Sequence, residues 1–293
     1  MQSFVCLYGF PAAGKTTFAK HFLQEHDDFV GVGADAVRQA LYGSEDRYGD
    51  SKEIYAELVR QMTDALRDGK SVLYDGTNLR RQDRLDFLFD LPSIPIYREV
   101  IKLPTNMEVC VERHLRRDRN IPLDKLLPYF SINEEPTKDE GWDQISTCCT
   151  RAYIASPFFE DAHRAAAVKA AEILRSRGID TYLPLEHKVP NAWDLPNHEW
   201  GAAVYRADVK AIRNSDTVVV LSYGRLGSAG TAWEAGYAFG IGKRVIVVEM
   251  PGTTLMSLMV ANGRTATLKG LDALRDYDFV HFPKTRDNEM EQK

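Results

Sequence analysis

The stretch SFVCLYGFPAAGKTTFAKHFLQ, Ser3 to Gln24, decides the fold of the first half of the chain. FVCLYG is a short apolar strand, GFPAAGKTT fits G-x-x-x-x-G-K-[ST], and GKTTFAKHFLQ is amphipathic. Strand, glycine loop and helix in that order give the pattern its specificity. Backbone N–H groups of such a loop and of the helix start cradle phosphate oxygens. Gly9 and Gly14 frame the loop, Lys15 is placed to reach the β- and γ-phosphates, Thr16 to hold Mg²⁺, and Thr17 follows in the first helical turn. ATP and Mg²⁺ are therefore the expected cofactors.

Outward from this loop the chain keeps alternating. FVGVG, SVLYDGTN and REVIKL read as strands, and IYAELVRQMTDALRDG, RRQDRLDFLFDL and NMEVCVERHLRRDR as helices, the first of them stopped by Gly69. Such alternation implies a parallel sheet covered on both faces. From Asn133 to Trp142 the pattern fails: NEEPTKDEGW is acidic, with Pro136 and Gly141, and reads as a linker or surface excursion. A second alternation follows, with RAYIASPFF, IDTYLPL, DTVVVLS and RVIVVEM as strands. DAHRAAAVKAAEILRSRG, EWGAAVYRADVKAIRNS and TAWEAGYAFGIGK are its helices. The expected division is a domain over residues 1–132, a linker over 133–149 and a domain over 150–293, both α/β.

Composition sets outer bounds. A chain of 293 residues suits two domains. The formal charge of -5 argues against a broad nucleic-acid-coating surface and leaves room for a local basic groove. No apolar run approaches the ~18–20 residues that span a bilayer, so no membrane partner is expected. MQSFVCLYGF enters a strand directly, so no signal peptide is read and the cytoplasm is the default location. Cys6 and Cys110 lie in apolar contexts and read as core thiols; Cys148 and Cys149 are adjacent, which is not metal-ligand spacing.

Three further features belong with the phosphate loop. GADAVR puts Asp35 at the C-terminal end of the second strand, where α/β ligands sit. There it can accept the proton of an attacking hydroxyl, cap a helix, or both. Arg38 lies one helical turn on. Asp75 in YDGTN ends the third strand and suits the Mg²⁺ shell, orientation of Arg38, or simply a turn before Gly76. Arg113 and Arg117 in ERHLRRDRNIP are spaced i, i+4, as a lid over transferring phosphates requires, although a solvated basic face has the same spacing. GFPAAGKTT, GADAVR, DGTN and VERHLRRDRNIP together resemble the 5′-hydroxyl polynucleotide kinase domain of phage-type end-healing enzymes, over about residues 1–130. The resemblance implies Lys15 and Thr16 on ATP and Mg²⁺, Asp35 as general base, Arg38 on the acceptor's 3′-side phosphate, and Arg113 and Arg117 on ATP phosphates. The DxDGT phosphatase signature that often follows is absent, and the acceptor, a nucleic-acid 5′ end or a nucleoside, stays open.

GSAGTAWEAGYAFGIGK, Gly227 to Lys243, carries one carboxylate among small and apolar residues. Glu234 is expected in the first turn of a helix, whose partial positive charge would keep it ionised, either as a nucleophile or as an ordinary helix-start charge. Gly227, Ser228, Ala229 and Gly230 leave room for a sugar. RAYIASPFF, YRADVKAIRNSDTVVVLS, GSAGTAWEAGYAFGIGK and TTLMSLMVANG resemble the nucleoside 2-deoxyribosyltransferase family and its nucleotide N-hydrolase branch, over roughly residues 150–283. That resemblance implies a flavodoxin-like, doubly wound fold and attack of Glu234 on the sugar C1′. It also implies Tyr153 orienting Glu234 and Asp208 touching the sugar or protonating the leaving base. Read alone, Tyr153 is a half-buried strand tyrosine, Asp208 a solvated helix charge, Asp216 structural, and Trp233 and Tyr237 core residues or, as the alternative, wall residues of the site. The family commonly has Asp six residues before the Glu and Asn two before the Met; here they are Ser228 and Ser257, before Met259. Serine at both positions resembles the branch that hydrolyses 2′-deoxynucleoside 5′-monophosphates, because a hydroxyl donates to a phosphate that a carboxylate repels. Ser257 supplied by a neighbouring subunit would imply a homo-oligomer. The expectation is a bifunctional enzyme, with NAD cleavage or nucleotide sensing as alternatives for the second domain.

Overall fold

A computed structural model of the protein describes residues 1–47, 49–116, 122–189, 195–224, 227–253 and 255–284. The chain divides into two compact units, Met1–Cys148 and Cys149–Lys293.

In the first unit the elements run β1 (Gln2–Tyr8), α1 (Lys15–Glu25), β2 (Phe29–Gly33), α2 (Ala34–Tyr42), α3 (Ser51–Arg67), β3 (Ser71–Asp75), α4 (Arg81–Asp90), β4 (Ile96–Lys102), α5 (Met107–Leu115), α6 (Leu123–Leu126) and β5 (Gln144–Thr147). The strands pair in parallel in the order β2-β3-β1-β4-β5. The central strand β1 is buried from Phe4 to Tyr8. That is why it reads as a continuous apolar run rather than an alternating one. Ile54, Leu58, Met62 and Leu66 of α3, at helical spacing, pack on one face of the sheet with Phe4, Cys6 and Val72.

The expected linker over 133–149 is corrected here. Its last residues form β5, which pairs with β4 from Glu99↔Gln144 to Lys102↔Thr147. Most of the acidic stretch is exposed, and a pair of charged side chains explains why Glu140 within it is buried. Arg84, only 1% exposed, donates from Nε to Glu140 Oε2 at 2.8 Å and from Nη2 to Glu140 Oε1 at 2.6 Å. Its Nη1 donates to the Asn78 carbonyl at 2.8 Å, and Trp142 Nε1 donates to Glu140 Oε2 at 2.9 Å. The forked guanidinium meets both carboxylate oxygens, so two buried charges are neutralised and hydrogen-bonded together. Trp142 itself lies in the core, stacked 6.3 Å from Phe4.

The second unit runs β6 (Arg151–Ala155), α7 (Asp161–Ser176), β7 (Asp180–Tyr182), α8 (Asn197–Arg213), β8 (Thr217–Ser222), α9 (Ala229–Gly240), β9 (Arg244–Glu249), α10 (Leu258–Asn262), β10 (Ala266–Lys269) and α11 (Gly270–Asp276). Its strands are also all parallel, ordered β7-β6-β8-β9-β10. Numbered within the unit this is 2-1-3-4-5, the doubly wound order in which the chain reverses direction beside the first strand and opens a crevice at the strand C-terminal ends. Val218 to Leu221 and Val245 to Val248 are fully buried between the helical layers. Asp216 is structural, as its sequence position suggests: one carboxylate oxygen accepts from Thr150 N at 2.7 Å and Arg151 N at 2.9 Å, and from the Thr150 hydroxyl, fixing the start of β6. The four cysteines are buried, and none is joined in a disulfide. Among the described residues, no helix is long and apolar enough to cross a membrane.

Candidate active sites

The glycine loop between β1 and α1 holds Ala12 at φ 63 and Gly14 at φ 106. Left-handed residues on either side of Ala13 turn successive backbone groups in opposite directions, which makes a concave set of N–H groups. Gly14 is well suited to its positive φ, and a Cβ at Gly9 would lie 3.2 Å from Leu103 Cβ. The loop closes around its own lysine: Lys15, 9% exposed, donates from Nζ to the Gly9 carbonyl at 2.9 Å and the Phe10 carbonyl at 2.8 Å. Thr16 and Thr17 stand exposed in the first turn of α1.

Strand register brings the acidic residues to this loop. Gly33 is the partner of Asp75 across β2 and β3, so Asp35, two residues after Gly33, sits beside the end of β3. Asp75 accepts a hydrogen bond from Thr16. Burial pushes its carboxyl above the ordinary value, while the Lys15 charge and the Thr16 bond pull it back and Asp35 pushes it further up. Asp35 is the second residue of α2, and the N-cap is Gly33, so the capping alternative for Asp35 is not what forms. Arg38 pairs with Asp35 and also donates from Nε to the Glu45 carbonyl at 2.7 Å. The Asp35 side chain keeps 44% of its surface exposed, enough to meet an incoming hydroxyl. Arg113 on α5 donates from Nη1 to the Ala13 carbonyl at 2.8 Å, at the loop as the sequence suggests, though onto its backbone. Arg117 lies outside the described residues. The donor set of one hydroxyl and one carboxylate beside a nest of N–H groups fits Mg²⁺ carried on a nucleotide triphosphate, since Mg²⁺ takes hard oxygen ligands and keeps several waters.

The second site corrects one premise. Glu234 is the sixth residue of α9, in its second turn, and the first turn holds no acidic residue. The helix start is therefore not what sets its charge. Burial pushes the Glu234 carboxyl up to about 7, with a smaller push from Asp208, while a hydrogen bond from Tyr153 holds it down. Tyr153, fully buried on β6, donates its hydroxyl to Glu234 Oε1 at 2.6 Å. Asp208, on α8, is hydrogen-bonded to the same tyrosine, and burial pushes it up to about 6. A tyrosine hydroxyl has one proton. Shared between the two carboxyls, it couples them into a pair with values of about 6 and about 7, so between those values the pair retains one proton. The arrangement thus presents an ionised carboxylate and a carboxylic acid side by side, the division of labour that glycosidic chemistry needs.

Ser228 is the N-cap of α9, its hydroxyl accepting from Thr231 N at 3.4 Å, and Ser257 is the N-cap of α10. Trp233 is not a core residue: it is 44% exposed, stacked 5.1 Å from Tyr237, with the Tyr205 ring tilted against it at 5.4 Å. Tyr237 is half-buried and accepts from Arg213 Nε at 2.6 Å. Sequence reading missed a ladder of rings leading away from Tyr153. Tyr182 stacks on it at 5.7 Å and His187 stacks on Tyr182 at 4.0 Å. Their position at the end of β7 and in the segment after it, at the C-terminal edge of a parallel sheet, was the available signal.

Comparison with known proteins agrees with this division. The family model described as nucleoside 2-deoxyribosyltransferase matches residues 152–269, and one described as AAA domain matches residues 4–126. The chain carries a P-loop kinase-like domain at its N-terminus and a nucleoside 2-deoxyribosyltransferase domain at its C-terminus. Among curated relatives, an L-seryl-tRNA(Sec) kinase of Methanococcus maripaludis is 26% identical over 153 residues, covering 47% of this chain and 55% of that protein. Transcription factor bHLH140 of Arabidopsis thaliana is 28% identical over 163 residues, covering 52% of this chain and 16% of that protein. The matches thus span from about a sixth to about half of these relatives' lengths. A solved 2-deoxyribosyltransferase of Bacillus psychrosaccharolyticus is 28% identical, covering 44% of this chain and 93% of that one, with a TM-score of 0.41.

Proposed function

We propose that the protein is a bifunctional nucleotide enzyme. Its first unit transfers the γ-phosphoryl group of ATP to a 5′-hydroxyl, on a nucleic-acid end or a nucleoside. Its second unit cleaves, or transfers across, the N-glycosidic bond of 2′-deoxynucleoside 5′-monophosphates. The observation that carries the second activity is the single tyrosine hydroxyl shared by Glu234 and Asp208.

In the first unit, Gly9, Gly14 and the first turn of α1 with Thr17 bind the triphosphate through backbone N–H groups. Lys15 leaves its carbonyl partners for phosphate oxygens, and Thr16 with Asp75 holds Mg²⁺, which supplies charge neutralisation on the phosphates. Asp35 accepts the proton of the attacking hydroxyl, and Arg38 binds the acceptor's phosphate. Arg113 and Arg117 serve the ATP phosphates.

In the second unit a Glu234 oxygen attacks C1′ and forms an ester. The C1′–N bond breaks with its electron pair going to the base, and Asp208 gives its proton to that base. Water, losing a proton to Asp208, or a second base then resolves the ester. Ser228 and Ser257 donate hydrogen bonds to the 5′-phosphate, Ser257 from a second copy of the chain. The exposure of Trp233, Phe239, Leu258 and Met259, the last 84% exposed, supports a homo-oligomer that covers α9 and α10.

Chromatography of base released from deoxynucleosides, their 5′-monophosphates and NAD tests the second activity. Release from monophosphates alone is the expected result; release from nucleosides alone would overturn the phosphate-reading role of Ser228. Transfer of labelled γ-phosphate to 5′-hydroxyl oligonucleotides and nucleosides tests the first. Asp35→Asn is expected to slow it by about 10²–10⁴-fold, the usual share of a general base.

A further inference from the structure

The Ala13 carbonyl sits at the crown of the phosphate loop, between two left-handed residues. A carbonyl oxygen turned inward there would repel phosphate. The structure turns it outward and gives it two donors. Thr105, 4% exposed, donates its hydroxyl at 2.9 Å, and Arg113 donates Nη1 at 2.8 Å. Both come from the segment after β4: Thr105 directly precedes Asn106, the N-cap of α5, and Arg113 lies two turns further on. Asn106 Oδ1 accepts from Val109 N at 2.9 Å, and Cys110 Sγ lies 3.8 Å from the Thr105 carbonyl, so Thr105 is held at a fixed helix start.

The two donors differ in what they can afterwards do. A guanidinium on a half-buried side chain can swing to a phosphate; a buried hydroxyl on a capped helix start cannot. We infer that Thr105 is a positioning residue for the phosphate loop, holding the Ala13 carbonyl outward so that the loop keeps its inward N–H groups when Arg113 turns to the nucleotide. This rests on the kinase reading of the first unit and assigns the loop a fixed brace and a transferable one.

The test uses the full chain with Thr105→Val, which keeps the shape and removes the hydroxyl, and Thr105→Ser, which restores it. Mg²⁺-ATP binding is measured by titration, alongside KM and kcat for phosphoryl transfer. Base release by the second unit and the thermal transition of the first serve as controls. Thr105→Val is expected to weaken ATP binding and raise KM for ATP by about 5–20-fold, the effect of one buried hydrogen bond, with kcat changed less than threefold. Thr105→Ser returns both towards the parent values. Equal ATP binding by the parent and Thr105→Val overturns the proposal while leaving the kinase reading intact. A parent chain that binds no ATP overturns the kinase reading and the proposal with it. Weakened binding in Thr105→Val that Thr105→Ser does not restore makes the residue merely structural and also overturns the assignment.

Discussion

The two units use nearly the same scaffold in opposite ways. Each is a five-stranded parallel sheet with its candidate site at strand C-terminal ends. In the first, the candidate site is written in backbone: left-handed Ala12 and Gly14, loop carbonyls engaged by Lys15, and the Asp35 carboxylate, which stays partly exposed beside Arg38. In the second it is written in side chains, with two carboxylates drawn off their ordinary proton affinities by burial around one tyrosine. The difference fits the chemistry proposed for each. Phosphoryl transfer asks for positioning and charge neutralisation. Glycosidic cleavage asks for a nucleophile and an acid at the same pH.

If the two sites are separate machines, each is breakable alone. Glu234→Ala is expected to lower base release by roughly 10⁴–10⁶-fold, the range seen when one member of a catalytic unit is deleted, with γ-phosphoryl transfer unchanged in the same preparation. Loss of both would dissolve the contrast. Next in size, Arg84→Met leaves Glu140 buried without its partner and should destabilise the first unit by about 3–5 kcal/mol. Denaturant melts should then resolve two transitions, with only the first unit's moved.

Subtler changes sharpen the side-chain half of the comparison. Tyr153→Phe removes the donor that holds Glu234 down, so the acidic limb of the kcat/KM profile for base release should move to higher pH. The parent profile is expected to be bell-shaped, flanked by apparent values near 6 and 7. The smallest effect is on stability. The folded Glu234 carboxyl, at about 7, keeps a proton that an unfolded chain releases near the ordinary 4.5. Its contribution is complete below about 4.5 and is lost as pH rises through about 7. Glu234→Gln should therefore raise the second unit's melting temperature at pH 8 by roughly 2–8 °C and leave it nearly unchanged at pH 4.

Much of this was legible in the sequence, unevenly. GFPAAGKTT carries its own geometry, because glycine spacing and a following lysine constrain a local loop. Glu234 was legible as a residue and not as a mechanism: its proton affinity comes from burial against β6 and α8, about 80 and 26 positions away, which no local pattern encodes. NEEPTKDEGW lies mostly at the surface, as its charge suggests, but Glu140 within it is buried against Arg84, some 56 residues earlier, a partner that no local pattern encodes. Thr105 gave no signal of its own beyond following a strand in a parallel sheet.

The Arg84–Glu140–Trp142 clasp also bears on how such a chain came to be joined. A recombination event in the acidic stretch, where composition invites one, would part a guanidinium from its counter-ion and pull an indole out of a finished core. The seam tolerated by the physics lies later, between Cys148, whose N–H donates to the Lys102 carbonyl, and Cys149, whose N–H donates to the Phe279 carbonyl. A search for shuffled ancestors of either half should therefore look for gene junctions at codons 148–149 and for inherited tryptophan upstream of them.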